Sequence, residues 1–103
     1  MRNHTKIYLK AFGYEKEDFI PSEISGGRLV DVHHIDCKGM GGDPTGEKDR
    51  IENLIGLTRE EHDTLGDKEQ YMLLLYDKHL AFMIANGVKF DMKYMQDKLN
   101  QHR

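Results

Sequence analysis

The sequence reads LVDVHHI over residues 29–35, NLIGL over residues 53–57 and TREEH over residues 58–62. The first segment is rich in branched apolar residues and ends in two adjacent histidines, which predicts a short strand leading into His33 and His34. The second segment is largely apolar and predicts a turn or short strand that returns to the core. Because neighbouring side chains on a strand point in opposite directions, the two histidines should face different surroundings.

Helix signals follow these segments. Thr58 and Glu61 fit a capping box, which predicts a helix that starts here and carries His62 near its first turn. The stretch 68–86 is rich in Leu and Met and ends at an Asn-Gly stop, which predicts a longer helix. Helical spacing of apolar residues predicts a last helix over 91–100. The expected fold class is therefore a small α+β domain.

Length and composition point to one soluble domain over residues 1–103. The longest apolar run, 72–76, is too short to cross a membrane, and the first residues lack an apolar segment of signal-peptide length. We therefore expect a cytoplasmic protein with no membrane partner. Cys37 is the only cysteine, which excludes an internal disulfide and a thiolate-rich structural zinc site.

The charge is unevenly distributed along the chain. Residues 31–70 carry eleven of the 18 Asp and Glu residues but only five of the 15 Lys and Arg residues. A nucleic-acid interface is normally basic, whereas clustered carboxylates fit a cation site. The acidic middle segment is therefore compatible with a metal site and equally with a solvated acidic surface.

Three histidines and one asparagine are residues of the types that metal-assisted hydrolysis needs: His33, His34, His62 and Asn53. Asn53 lies 19 positions after His34, and His62 lies 9 positions after Asn53. Hydrolysis of a phosphodiester requires an activated water and a cation on the phosphate oxygens. Imidazole suits transition metals such as zinc or nickel, and it is also the natural general base near neutral pH. An isolated His-His pair is more often a hydrogen-bonded pair on a strand. The presence of Asn53 and His62 at these spacings favours a catalytic or metal-binding role for the pair instead.

The pair, the Asn-Leu-x-x-Leu segment and the following helical histidine resemble the HNH, or ββα-metal, endonucleases. Residues 29–65 carry the resemblance. It implies a ββα-metal motif extended by the two C-terminal helices, and a metal-dependent endonuclease that cleaves DNA with low sequence specificity. One divalent metal ion is implied, with zinc, nickel, manganese and magnesium all open.

The resemblance also implies a role for each motif residue. His33 is similar to the first metal ligand, and His62 to the ligand on the helix. His34 is similar to the general base that deprotonates the attacking water. Asn53 is similar to the asparagine that pins the loop bearing the base, although in some branches of the family an asparagine near this position binds the metal.

The sequence departs from the family at a second, structural zinc site. Where many members have two Cys pairs, this chain has Ser22 and Ser25, then Thr58 and Glu61. The spacing is kept and the thiols are absent. We therefore expect no structural zinc.

A further departure concerns the third ligand of the catalytic metal. Some members have another histidine one helical turn after the last motif histidine, and this position is Gly66. Water, Asp36, Asp63 and Asp67 remain alternatives for the vacant ligand position.

The segment between the two motif halves, residues 38–49, contains four of the ten glycines and predicts a loop beside the site. It lacks the Lys-Ser/Thr ending of a phosphate-binding P-loop. Lys38, Lys48 and Arg50 are the cations that we expect to meet DNA phosphates, although exposed cations often serve only solubility.

Two other functions remain open. One is an HNH-like nucleic-acid-binding module without cleavage, which the glycine at position 66 favours. The other is a metal-binding structural protein, which the acidic middle segment favours. The apolar stripe 71–84 is interpreted as core, and its width leaves a homodimer open.

Overall fold

A computed structural model describes residues 2–36 and 47–103 of the chain. Within these ranges the protein is a small α+β domain, as predicted. Its strands and helices are β1 (Asp31–His34), β2 (Leu54–Leu57), α1 (Asn3–Phe12), α2 (Arg59–Leu65), α3 (Met72–Ala85) and α4 (Met92–His102). Short 3-10 turns span Glu47–Asp49, Ile51–Asn53 and Glu69–Tyr71. None of the described helices is long and apolar enough to span a membrane.

The two strands form an antiparallel ribbon that carries the histidine pair. Asp31 lies opposite Leu57, and His34 lies opposite Leu54. Every residue of β2 is buried, so the ribbon is covered on both faces. The observed β1 ends one residue later than the predicted strand, and it therefore includes both histidines.

Helix α1 covers one face of this ribbon. The helix spans Asn3–Phe12 and is capped by Gly13, which has the left-handed φ of 75°. Tyr8 is fully buried and packs with Val32 and Leu54. This packing brings the first turn of α1 to the end of β1 that carries the histidines.

Helix α2 begins with the predicted capping box. The Thr58 hydroxyl accepts a hydrogen bond from the Glu61 amide at 3.1 Å, and the Thr58 amide donates to Oε1 of Glu61 at 3.0 Å. The helix ends at Gly66. A helix of only seven residues is marginal alone, so these caps and its packing on the ribbon determine where His62 lies.

Helices α3 and α4 complete the main core. Its buried residues are Ile35, Ile55, Leu57, Leu75, Tyr76, Met83, Met95 and Leu99. The predicted helix over 68–86 is observed from residue 72, because a 3-10 turn precedes it. Asp91 caps α4 by accepting from the amide of Tyr94 at 3.1 Å.

A buried polar network joins α1 to α3. His79 and Glu23 are both fully buried, with Nδ1 of His79 2.8 Å from Oε1 of Glu23. The other ring nitrogen of His79 donates to the carbonyl of Ile51 at 2.7 Å, and the Tyr8 hydroxyl donates to Glu23 at 2.7 Å. His79, to which the sequence assigned no role, is therefore a core residue with both ring nitrogens paired.

Glu52 links the start of β2 to the start of α4, and this link should make stability depend on pH. Its carboxylate accepts from Nε of Arg50 at 2.9 Å and from the amide of Asp91 at 2.7 Å. Burial alone would raise the pKa of Glu52, but these hydrogen bonds outweigh it and lower the pKa. A lowered pKa stabilises the folded state above the unfolded-state value, and this contribution is lost as pH falls through the folded-state value.

We therefore expect Glu52→Gln to lower the free energy of unfolding by about 1–3 kcal/mol at neutral pH. The difference from wild type should shrink as the pH falls below the ordinary Glu range. Urea unfolding followed by circular dichroism between pH 3 and pH 7 measures it. A difference that stays constant over this range would contradict the assignment.

Candidate active site

Three of the four motif residues predicted from the sequence line one pocket. The pocket has a volume of about 200 Å³ and lies between α1, β1 and α2. Its lining residues are Arg2, His4, Asp31, Val32, His33, His34, His62 and Asp67. Asn53 does not line the pocket and lies beneath it in the core.

One side of the pocket is formed by His33, His62 and Asp67, which we call the ligand group. One potential ligand atom from each lies within 4.8 Å of the others. The two imidazole rings meet edge to face with centroids 4.9 Å apart. These donors come from β1, from α2 and from the residue after the helix C-cap, so the fold rather than sequence proximity assembles them.

The environment of His33 suits a metal ligand. Its Nε2 atom is buried and has no hydrogen-bond partner among the described residues, with Oδ1 of Asp67 3.8 Å away. Buried polar atoms without a partner are uncommon, and each needs an explanation such as an ion. Burial also lowers the pKa of His33, which favours the neutral imidazole that a ligand must be. A divalent cation in the ligand group fits both observations.

Gly66 explains why the third ligand is not at the position that the resemblance indicates. A Cβ atom at Gly66 would lie 2.6 Å from the carbonyl oxygen of His62 and 3.2 Å from Cε1 of His33. A side chain at this position has no room beside the ring that it would have to assist. The next residue, Asp67, has a carboxylate that could serve as a ligand beside His33 and His62, and its left-handed φ of 59° is one that Asp tolerates better than most residues.

The other aspartates considered from the sequence lie elsewhere. Asp36 accepts from Nζ of Lys98 at 2.9 Å and does not belong to the ligand group. Asp63 is exposed, lies 3.8 Å from Nδ1 of His62 and does not belong to the ligand group. Among the alternatives left open by the sequence, Asp67 is the carboxylate that joins His33 and His62.

We expect Asp67→Asn to weaken metal binding by at least about tenfold, since loss of even a supporting partner costs 10–100-fold. Asparagine also tolerates the left-handed backbone, so the fold should be kept. Asp63→Asn is the matched control, because it removes a neighbouring carboxylate that lies outside the ligand group. Calorimetric titration with Mn²⁺ or Zn²⁺ measures the difference, and equal affinities in the two variants would contradict the assignment.

The other side of the pocket is formed by His34, Asp49 and His4. Nε2 of His34 lies 2.8 Å from Oδ1 of Asp49, and the Asn3 amide donates to Oδ2 of the same carboxylate at 3.2 Å. The His4 ring lies against His34 with centroids 4.3 Å apart. The hydrogen bond with His34 lowers the pKa of Asp49, so the carboxylate is ionised and accepts the Nε2 proton.

This contact determines which nitrogen of His34 is free. When Nε2 donates to Asp49, the neutral ring has its lone pair on Nδ1. No described residue hydrogen-bonds to Nδ1. His34 therefore has the features of an oriented base, with a carboxylate behind it and a proton-accepting atom in front. The three side chains also have donor atoms within 4.8 Å of one another, so they are a second set that suits a cation.

Asn53 uses all of its side-chain hydrogen-bonding groups inside the core. Its oxygen accepts from the amide of Asp36 at 2.9 Å and from the Tyr76 hydroxyl at 3.0 Å. Its nitrogen donates to the carbonyls of Asp36 at 3.1 Å and Lys48 at 2.9 Å. Asn53 thus joins the segment after His34 to the segment before Asp49. This geometry matches a pinning role and leaves no capacity for metal binding.

The three predicted phosphate contacts differ in their surroundings. Arg50 lies 2.7 Å from Glu47 and 2.9 Å from Glu52, and its guanidinium is 4.0 Å from the Tyr94 ring centroid. Lys48 lies 3.6 Å from Asp36. Both side chains are therefore bound to carboxylates, and their contact with DNA stays a prediction. Lys38 lies outside the described residues.

The four residues at the positions where the resemblance indicates cysteine pairs come together in space. Ser22 Oγ lies 3.2 Å from Ser25 Oγ and donates to Oε2 of Glu61 at 3.2 Å, while Oε1 of Glu61 serves the Thr58 cap. Burial would raise the pKa of Glu61, but hydrogen bonds from Ser25, Thr58 and Ser22 outweigh it and lower the pKa. Hydrogen bonds thus connect the turn before β1 to the start of α2.

The sequence did not point to His4, Asp49 or Arg2 as site residues. His4 and Arg2 lie about thirty positions before the histidine pair, and they reach it only because α1 packs on the ribbon. Asp49 lies among several acidic residues in a segment of no regular pattern. The only signal in the sequence for this part of the site was weak. It consisted of Asn3 and His4 in the first turn of α1, a helix that the sequence analysis did not predict.

Comparisons with protein-family models, with curated proteins and with solved structures found no match.

Proposed function

We propose that this protein is a metal-dependent nuclease that hydrolyses phosphodiester bonds in DNA, and that residues 29–65 are a ββα-metal motif of the HNH type. One observation supports the proposal above the others: the adjacent residues His33 and His34 belong to two different groups that open on one pocket. A structural metal site needs only the ligand group. The oriented His34–Asp49 pair beside it is what hydrolysis needs in addition.

The motif assignment has separate support. The strand pair followed by α2 is the order of elements that the motif requires, and the histidines lie on β1 and α2. The clustering of Ser22 and Ser25 with Thr58 and Glu61 agrees with the register inferred from the resemblance, because 33 positions separate Ser25 from Thr58 in the chain.

In this proposal the ligand group of His33, His62 and Asp67 holds one divalent cation. When bound, the cation stabilises negative charge on the scissile phosphate and on the leaving oxygen. The residues themselves suit zinc, nickel or manganese, because two imidazoles accompany one carboxylate. Burial of His33 keeps water from competing for that ligand.

His34 acts as the general base. Its Nδ1 removes a proton from a water molecule as the water oxygen forms a bond to phosphorus. The bond from phosphorus to the 3′ oxygen breaks, and this oxygen takes a proton from solvent water, which produces a 5′ phosphate and a 3′ hydroxyl. Asp49 stabilises the imidazolium that forms, since its ionised carboxylate already accepts from Nε2 at 2.8 Å.

We expect the protein to nick supercoiled plasmid DNA when Mg²⁺, Mn²⁺, Ni²⁺ or Zn²⁺ is supplied, and to stop when the metal is removed by EDTA. His33→Ala and His62→Ala should lose both cleavage and metal affinity, which electrophoresis and calorimetry measure. Asp63→Asn should retain both. Binding of DNA without cleavage in every metal would favour the non-cleaving module, and binding of metal without DNA affinity at low salt would favour the structural protein.

A further inference from the structure

The metal pocket continues into a surface groove that the sequence did not reveal. A smaller pocket of about 180 Å³ shares Asp31 and His62 with it and is also lined by Val30 and Arg59. Val30 and Arg59 in turn line an open cleft of about 610 Å³. The other residues of this cleft are Ser25, Arg28, Thr58, Glu60, Glu61 and Thr64. The three spaces therefore adjoin one another at their shared lining residues, and we refer to them together as the groove.

Two arginines in this groove differ from the other cations discussed above. Arg28 and Arg59 are exposed, and neither forms an ion pair with any of the described residues. Arg50, Lys48 and Lys98, by contrast, are each bound to carboxylates. Exposed cations without carboxylate partners, beside a pocket that could hold a metal ion, suit contacts with the phosphates of one strand.

An exposed aromatic ring lies beside Arg28, which is one of the residues that line the cleft. Phe19 is 59% exposed, and the guanidinium of Arg28 lies 5.6 Å from its ring centroid. Val30, between Arg28 and the metal pocket, is 49% exposed. An exposed ring next to a cation is the arrangement on which unpaired bases stack in proteins that bind single strands.

Carboxylates limit how many phosphates this groove can bind. Glu61 is held by the Thr58 cap, and Asp31 lies 3.6 Å from Nε2 of His62. Glu60 lines the cleft and is exposed. The groove is therefore not uniformly basic, and it offers two phosphate positions rather than a continuous basic track.

We propose that this groove binds the nucleic-acid strand that flanks the scissile phosphate, with phosphates at Arg59 and Arg28 and an unpaired base stacked on Phe19. The inference rests on the proposed function and adds a substrate class to it: DNA that is single-stranded on one side of the cut. A paired base has both faces stacked on its neighbours, so a fully paired duplex gains nothing from Phe19.

The test compares variants of the groove with matched variants outside it. Arg28→Ala and Arg59→Ala are paired with Lys78→Ala, which removes from α3 an exposed cation that, like them, has no ion pair among the described residues. Phe19→Ala is paired with Ile84→Ala, which removes an exposed apolar side chain from α3. The probes are a fluorescent 20-nucleotide single strand and the corresponding duplex, titrated in EDTA over a range of salt concentrations, and cleavage kinetics are measured with Mn²⁺.

We expect Phe19→Ala to weaken single-strand binding about tenfold and to leave duplex binding unchanged. Each arginine variant should reduce the magnitude of the salt slope for the single strand by about 0.7. All three should raise KM and leave kcat unchanged, whereas the two control variants should behave as wild type.

The possible failures are distinguishable. If wild type cleaves DNA but the groove variants bind like their controls, the groove proposal is overturned and the proposed nuclease function stands. If Phe19→Ala weakens binding of single strand and duplex equally, the stacked unpaired base is overturned. If wild type binds neither probe at low salt, the groove proposal and the nuclease function both fall.

Discussion

Replacement of His34 by alanine should lower the rate of DNA cleavage by about 10²–10⁴-fold and leave the metal bound. The reason is the division of the pocket into two groups. His34 is absent from the ligand group of His33, His62 and Asp67, and its Nε2 atom is directed at Asp49 at 2.8 Å. Loss of the imidazole removes the proton acceptor without removing a ligand.

The measurement combines single-turnover cleavage at saturating Mn²⁺ with calorimetric metal titration of the same variant. Asp49→Ala is the informative companion, because it keeps the imidazole and removes the carboxylate that orients it. We expect a smaller fall in kcat for Asp49→Ala than for His34→Ala. If His34→Ala lost metal affinity as severely as His33→Ala, His34 would be a ligand, and the division of roles would be wrong.

The local signals of the sequence predicted the elements that carry the motif. Thr58 and Glu61 formed a recognisable cap because the two hydrogen bonds involve residues three positions apart. The strand leading into His33 and His34 was visible for the same reason, since alternation and β-branching are properties of neighbours. Interactions within a few residues can be identified from their spacing alone.

The remaining site residues depend on tertiary packing, and spacing does not encode it. His4 reaches His34 only because Tyr8 anchors α1 on the ribbon. Asp49 is one of several acidic residues in its segment, and only its hydrogen bond to His34 distinguishes it. Asp67 could be named as an alternative, but its selection depended on the lack of space at Gly66, which is a three-dimensional property.

The cations around the site show the same limit of sequence reasoning, because their partners are set by tertiary packing. Lys48 and Arg50 were chosen because they lie near the motif in the chain, yet both face carboxylates of the protein. Arg28 and Arg59 are the cations that line the groove leading from the pocket. Arg28 and Arg59 also lie near the motif in the chain, so sequence position alone does not separate the cations that face carboxylates from those that do not.

Replacement of Asn53 by alanine should have the largest effect on stability, with a fall in the free energy of unfolding of about 2–4 kcal/mol. The side chain is fully buried and makes four hydrogen bonds with Asp36, Lys48 and Tyr76. Alanine would leave the amide and carbonyl of Asp36 without their partner in the core. For a domain of this size, whose total stability is about 5–15 kcal/mol, that is a large fraction.

The same change should also lower cleavage at temperatures where the variant is still folded, because Asn53 joins the segments on which His34 and Asp49 meet. Tyr76→Phe is the matched control, since it removes one hydrogen bond to Asn53 and leaves those to Asp36 and Lys48. We expect Tyr76→Phe to lose about 1 kcal/mol of stability with unchanged kcat. Thermal unfolding and single-turnover kinetics on both variants separate the two effects. If kcat fell equally in both, Asn53 would act through core stability alone, whereas a fall confined to Asn53→Ala means that it positions the base.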